Sequence, residues 1–300
     1  MKPAPTSGQV PSQVPGPIHQ QLLQLGAVVD PPGTALLYAP LQRHEPDAQV
    51  KVSRNLQYGP DPRNQLDVFS PETDGAARPV LVFLHGGAFT GGERRKPDSP
   101  FYDNILLWAV KNGMVGVNMT YRLAPQFQWP AAQHDVAAAL AWLRQNIAAQ
   151  GGDPARIVLV GHSAGAAHVA QYLAHPQFHV VPSGGVAGAV LLSGLYDTTT
   201  AEHNPPLQSY FGTDKSVYGQ RSALPGLVAS GVALLLAYAE LDPPDFHAQT
   251  EQAFATLQAA GRTANLLKLM GHSHMSEVYA INTADHSLSD PLAAFVSSLR

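Results

Sequence analysis

A serine set between two glycines, Gly161-His162-Ser163-Ala164-Gly165, is the group in this chain with the plainest chemical meaning. It follows the apolar run Ile157-Val158-Leu159-Val160 and precedes an alanine-rich stretch, so the pattern predicts a strand, a sharp turn and a helix, with Ser163 at the turn. In so tight a turn any side chain flanking the serine would strike the neighbouring strand or helix, hence a glycine on each side. The hydroxyl is then held out above the sheet as a candidate nucleophile. Because a hydroxyl is weakly nucleophilic, it needs a base, and the base needs a carboxylate to fix its tautomer and stabilise the imidazolium. A strand-turn-helix serine should find these later in the chain, first the acid and then the histidine. Asp242, in Glu240-Leu241-Asp242-Pro243-Pro244 just past the apolar run 232–239, is the expected acid. Asp197 is its main rival and Glu240 and Asp245 are lesser ones; each could equally cap a helix or close a turn. For the base, Gly271-His272-Ser273-His274-Met275-Ser276 offers two histidines two residues apart, and the residues alone leave both open.

A second glycine motif, His85-Gly86-Gly87-Ala88-Phe89, follows the apolar run 80–84. Acyl transfer builds negative charge on a former carbonyl oxygen, and backbone N–H groups already aimed at it stabilise that charge without reorganising. The expected donors are Gly87, Ala88 and, after the serine, Ala164, with Gly86 as the substitute for Ala88. His85 and His162, beside these groups, read as structural or pocket-lining. Phe89, His162, Trp129 and Phe211 are the expected pocket, with Trp108, Phe127 and Tyr210 as further aromatic candidates; core packing competes evenly for each aromatic. The remaining histidines, His168, His175 and His179 among them, lack metal-ligand spacing, so no metal site is expected.

Composition removes other chemistries. A formal charge of −4, with no basic run beyond Arg94-Arg95-Lys96, leaves no electrostatic footprint for nucleic acid or anionic lipid. The chain has no cysteine, which excludes disulfides, cysteine-zinc sites and thiol catalysis. No stretch reaches the roughly 20 apolar residues that span a bilayer. Residues 1–17, rich in Pro, Gly, Ser and Gln, lack the apolar centre of a signal peptide and read as a flexible leader. A soluble, cytoplasmic protein is the expectation.

The elements that must position these residues follow from periodicity. Residues 18–27 have an amphipathic helical pattern, and 50–69 read as two strands around the turn signal 58–64. Short apolar runs at 80–84, 114–119, 157–160, 186–192, 232–239 and 266–270 read as strands, and helical patterns cover 131–149, 164–174, 246–260 and 290–299. Buried runs alternating with helices predict an α/β fold with a mostly parallel sheet covered on both faces, catalytic groups gathering at the carboxyl ends of its strands. With 300 residues and 45% apolar content, residues 18–300 are expected to form a single domain, with cap elements from 18–45 and from the long connection 198–230.

Together these motifs resemble the α/β-hydrolase superfamily, in the branch of hormone-sensitive-lipase-like carboxylesterases and kynurenine formamidase-like hydrolases. The likeness covers residues 56–299. It rests on Leu66-Asp67-Val68-Phe69-Ser70-Pro71, on the His85 and Ser163 motifs, on Tyr121-Arg122-Leu123-Ala124-Pro125 with Trp129-Pro130-Ala131-Ala132, and on Glu240-Leu241-Asp242-Pro243. It implies a central sheet flanked by helices with a small cap, and a cofactor-free serine hydrolase using Ser163, Asp242 and a histidine. The implied partner is a small-molecule ester, short-chain or aryl, or alternatively an N-formylkynurenine-type amide; no nucleic acid or membrane partner is implied. The base of this branch stands in a His-aromatic-Ser context, which His274-Met275-Ser276 matches with methionine for the aromatic, so the resemblance implies His274. Lipase-like members carry a third glycine where this chain has Ala88; a backbone donor survives an alanine, and the fit is closer to HGG-x-aromatic variants. A non-catalytic binding module on the same fold is the alternative from another class, and it normally goes with a damaged triad. The sequence sets no oligomeric state, a homodimer being one option.

Overall fold

The computed structural model describes residues 6–42, 49–72 and 77–299. Its strands are β1 (Ser7–Val10), β2 (Val50–Gln57), β3 (Gln65–Pro71), β4 (Arg78–Leu84), β5 (Val115–Met119), β6 (Gly152–His162), β7 (Gly188–Leu192), β8 (Ala233–Leu241) and β9 (Ala264–Ser273). The helices are α1 (Gly16–Leu25), α2 (Pro31–Tyr38), α3 (Asp103–Lys111), α4 (Ala131–Asn146), α5 (Ala164–Ala174), α6 (Pro205–Phe211), α7 (Leu224–Ala229), α8 (Pro244–Ala259), α9 (Ser276–Tyr279) and α10 (Ser289–Ser298). The strands form one sheet in the order β1-β9-β8-β7-β6-β4-β5-β3-β2. Only the β2–β3 and β3–β5 pairs are antiparallel.

Side-chain alternation explains why the strands are apolar throughout. Val80, Val82 and Leu84 of β4 join one core with Ile157 and Leu159 of β6, while Leu81 and Phe83 join a second core with Val158 and Val160. Successive residues of a strand point to opposite faces, so a strand covered by helices on both sides must be apolar at every position. The first core holds residues of α4, α5 and α7, the second those of α3 and α10.

The amino-terminal segment differs from a flexible leader. Ser7–Val10 runs parallel to β9 as an edge strand, in the register Ser7↔Leu266 to Val10↔Leu269, with Leu266 N donating to the Thr6 carbonyl at 3.0 Å. An edge strand with largely exposed side chains is held by backbone bonds, which leave no mark in the residue pattern. Residues 1–5 lie outside the described residues, as do 43–45 of the first expected cap segment. The long connection 198–230 carries α6 and α7, and its Leu207, Tyr210, Phe211, Tyr218, Leu224 and Leu227 are buried in the first core. No helix of the described residues is long and apolar enough to cross a membrane.

Candidate active site

The order of the sheet reverses around β4, whose neighbours are β5 on one side and β6 on the other. Such a switch point opens a crevice at the carboxyl ends of the strands. The β4–β6 register pairs Leu84 with Gly161, so the His85 and Ser163 loops leave the sheet side by side. Ser163 is the one residue between β6 and α5, with φ 57° and ψ −123°. A non-glycine residue in that region costs on the order of 1–3 kcal/mol, sustained here by rigid surroundings. Ser163 N donates to the Leu192 carbonyl at 2.9 Å. A Cβ at Gly161 would lie 2.4 Å from Gly165 O, and one at Gly165 would lie 2.1 Å from Leu84 O, so no other residue type fits either position.

Asp242 and His274 meet at the ends of β8 and β9. His274 Nδ1 lies 2.6 Å from Asp242 Oδ1, while Asp242 Oδ2 accepts from Ser193 Oγ at 2.6 Å and from Ala239 N at 2.8 Å. An ionised carboxylate only accepts, so Nδ1 carries the ring proton and Nε2 presents a lone pair. Nε2 has no hydrogen-bond partner among the described residues, and His274 borders the same cavity as Ser163. The Phe246 ring packs 4.5 Å from the His274 ring, and His162 Nε2–H donates to the His274 carbonyl at 2.8 Å. Burial lowers the His162 pKa to about 4, so its imidazole is neutral.

The other histidine of the pair is placed differently. His272 is buried, its Nδ1 3.1 Å from Ser276 Oγ and its Nε2 3.2 Å from Asp285 Oδ2, and it does not border the cavity. The rival acids are also committed elsewhere. Asp197 accepts from Thr199 and Ser222, Glu240 accepts from Gly271 N at 2.7 Å, and Asp245 accepts from Glu202 N at 3.0 Å. Of these three, Asp245 alone borders the cavity.

The expected oxyanion donors frame the serine. Ala88 and Phe89 both have positive φ, 50° and 63°, in a turn closed by Gly91 N donating to Gly87 O at 2.9 Å. A Cβ at Gly86 would lie 2.9 Å from the Ser163 Cβ, which is how closely the loop approaches. The N–H groups of Gly87, Ala88 and Ala164 have no acceptor among the described residues. Ala164 opens α5, where the helix dipole also favours negative charge. Tyr121 supports the loop, its hydroxyl donating to the His85 carbonyl at 2.6 Å. Arg122 binds Asp135 through Nε at 2.8 Å and so ties the following segment to α4.

A cavity of about 600 Å³ opens over Ser163. Of the expected pocket residues, Phe89 and His162 border it, whereas Trp129 and Phe211 do not. Trp129 packs among His175, Phe178 and Arg221 with Nε1 bonded to Gln171, and Phe211 is edge-on to Phe89 within the core. The walls come instead from Val29, Pro31 and Pro32 of the expected cap segment 18–45, ahead of and within α2, and from Phe101 and Tyr102 before α3 and Tyr279 on α9, which no sequence signal marked. Leu195, Glu202 and Pro206 close the other side. Ser193 was also missed. It follows β7 with φ 46° and is fully buried, a polar residue in strained backbone whose partner is visible only once β8 lies beside β7. Among the described residues no group of histidines and carboxylates is arranged to hold a metal ion.

Comparison with known proteins places this geometry in context. A family model described as BD-FAE matches residues 66–180. The chain is 27% identical over 263 residues to Esterase LipQ of Mycobacterium tuberculosis, covering 81% of this chain and 61% of that protein. It is 35% identical over 164 residues to para-nitrobenzyl esterase of Bacillus subtilis, covering 49% of this chain and 32% of the other. The chain therefore spans less than two thirds of the length of these curated relatives. Among solved structures, a thermostable esterase from Pseudomonas putida ECU1011 superposes with a TM-score of 0.70 at 18% identity, covering 97% of this chain and 99% of that one. Esterase B from Lactobacillus rhamnosis superposes with a TM-score of 0.69 at 18% identity, covering 94% of each chain. At these identities the structural likeness is one of fold.

Proposed function

We propose, from the fact that this chain belongs to the carboxylesterase-type family of the α/β-hydrolase superfamily, that it is a cytoplasmic, cofactor-independent serine hydrolase of small carboxylic esters, short-chain or aryl. Ser163 Oγ attacks the ester carbonyl while His274 Nε2 takes its proton, and Asp242 holds the imidazole and stabilises the imidazolium. The N–H groups of Gly87, Ala88 and Ala164 receive the oxyanion. The imidazolium then gives its proton to the leaving alkoxide, which departs as the alcohol. Water, deprotonated by the same nitrogen, attacks the acyl-enzyme and releases the acid with Ser163 restored. Segments 18–42 and 195–206 act as the cap.

One observation carries this reading: His274 is held by Asp242 at 2.6 Å through Nδ1, its other nitrogen has no hydrogen-bond partner among the described residues, and His274 and Ser163 border one cavity. The cavity volume suits a small organic ester, within the range of about 300–1,000 Å³ typical of such sites. The test is hydrolysis of p-nitrophenyl esters of rising acyl length beside N-formylkynurenine, with Ser163→Ala as control. Turnover of short acyl esters, lost in the control, is the expected result. Turnover of the formamide alone would replace the ester reading, and undiminished activity in the control would overturn the nucleophile.

A further inference from the structure

One carboxyl group beside the triad has no part in the mechanism above. Glu277 lies on α9, three residues past His274, with its side chain wholly buried. Its Oε1 is 3.3 Å from His162 Nε2, but that N–H is directed at the His274 carbonyl. Its other polar neighbour is Ser193, whose hydroxyl hydrogen goes to Asp242 Oδ2. Neither Glu277 oxygen receives a hydrogen bond from the described residues.

A carboxylate buried without donors carries a large desolvation cost, whereas a carboxylic acid needs only an acceptor for its own hydrogen. The Ser193 oxygen is such an acceptor. The charged and titratable groups facing Glu277 are Asp242 from β8, His272 and His274 from β9, His162 from β6 and Tyr196 past β7. With His162 neutral, a second negative charge beside Asp242 would meet repulsion and no hydrogen-bonded cation.

Resting on the serine-hydrolase reading, we propose that Glu277 is a positioning residue held as the neutral acid: it donates to Ser193 Oγ, Ser193 donates to Asp242 Oδ2, and Asp242 remains the single carboxylate charge behind His274. Burial first, then the Asp242 charge, push the Glu277 pKa well above the usual carboxylate range, against the opposing pull of His274, Ser193 and His272. The direction of the chain matters. An ionised Glu277 would compete with Asp242 for the Ser193 hydrogen and would add a second charge favouring the imidazolium before substrate binds.

The protonation state is read by infrared difference spectroscopy of the wild type against Glu277→Gln at neutral pH. A protonated-carboxyl C=O stretch, lost in the variant, is expected; its absence from the wild type would overturn the proposal. Kinetics read the positioning. Glu277→Gln keeps a neutral N–H donor, so kcat/KM should stay within about threefold and the acid limb of its pH profile should not move. A shift of that limb to lower pH by about one unit would reveal a removed charge and overturn the proposal. Glu277→Leu has no donor, and kcat should fall about tenfold with KM little changed; a kcat equal to that of Glu277→Gln would deny any positioning role. Should the leucine variant not fold, the band and the glutamine profile still decide. Retained activity in Ser163→Ala would sink the serine-hydrolase reading by itself, whereas the infrared band reports on Glu277 alone.

Discussion

Two imidazole–carboxylate pairs stand at the end of β9, and their surroundings set them apart. His274 and Asp242 meet at 2.6 Å, the remaining imidazole nitrogen has no partner among the described residues, and His274 borders the cavity. His272 and Asp285 lie 3.2 Å apart, and the other nitrogen of His272 faces Ser276 Oγ at 3.1 Å, so this serine-histidine-aspartate set is sealed in the interior. Burial alone would raise the Asp285 pKa, but His272 and Ser287 more than offset it, leaving an ionised group that staples the segment after α9 to the end of β9. A histidine beside an aspartate is therefore not a catalytic pair until a free nitrogen meets a space that substrate can enter. On a strand end, a step of two residues decides which pair has that space.

The comparison is broken or sharpened most strongly by His274→Ala against His272→Ala. The first should lower kcat by about 10⁴-fold or more with an unchanged melting temperature, and combining it with Ser163→Ala should add little, because triad members act as a unit. The second should keep kcat per folded molecule within a few-fold while losing about 3 kcal/mol in denaturant unfolding, since it strips a buried carboxylate of its partner. Reversed outcomes would exchange the roles of the two histidines.

A smaller difference is expected between a ring that borders the cavity and one outside it. Phe246→Ala removes the ring against His274 and should lower kcat/KM by about tenfold, whereas Trp129→Phe, outside the cavity, should change it less than twofold. A KM shift confined to Trp129→Phe would return that residue to the substrate pocket.

The smallest effect concerns histidines that belong to neither pair. Burial lowers the His168 pKa to about 3, and both of its ring nitrogens lack hydrogen-bond partners among the described residues. The folded protein keeps this imidazole neutral while the unfolded chain takes up a proton below about 6.5, so stability is lost as pH falls from there toward 3. Each such group contributes a slope of about 1.4 kcal/mol per pH unit at its steepest. His168→Leu should flatten the acid limb of unfolding free energy by one proton's worth and leave the limb of kcat/KM in place. An unchanged proton uptake on unfolding would show that His168 is charged in the fold.

The serine motif was legible because its reason is local: strand, turn and helix lie within a few residues, and the glycines answer to contacts such as Gly161 against Gly165. The apolar runs were legible because a strand buried on both faces has no choice of residue class. β1 escaped because its pairing with β9 is mainly backbone, across most of the chain's length, and its side chains are largely exposed. The cavity walls at Phe101 and Tyr279 escaped for a related reason, since aromatics serve a core and a pocket equally until the fold shows which side of each stays empty.

The sequence by itself determined the class of fold, a serine presented on a glycine turn, and a short set of acids and histidines in the required order, because each depends on neighbours close along the chain. Only the tertiary structure decided which aspartate meets which histidine, that Ser193 and Glu277 stand behind them, and which aromatics face open space. Those depend on distances between strand ends that are remote in sequence and become neighbours only when β6, β7, β8 and β9 align in one sheet.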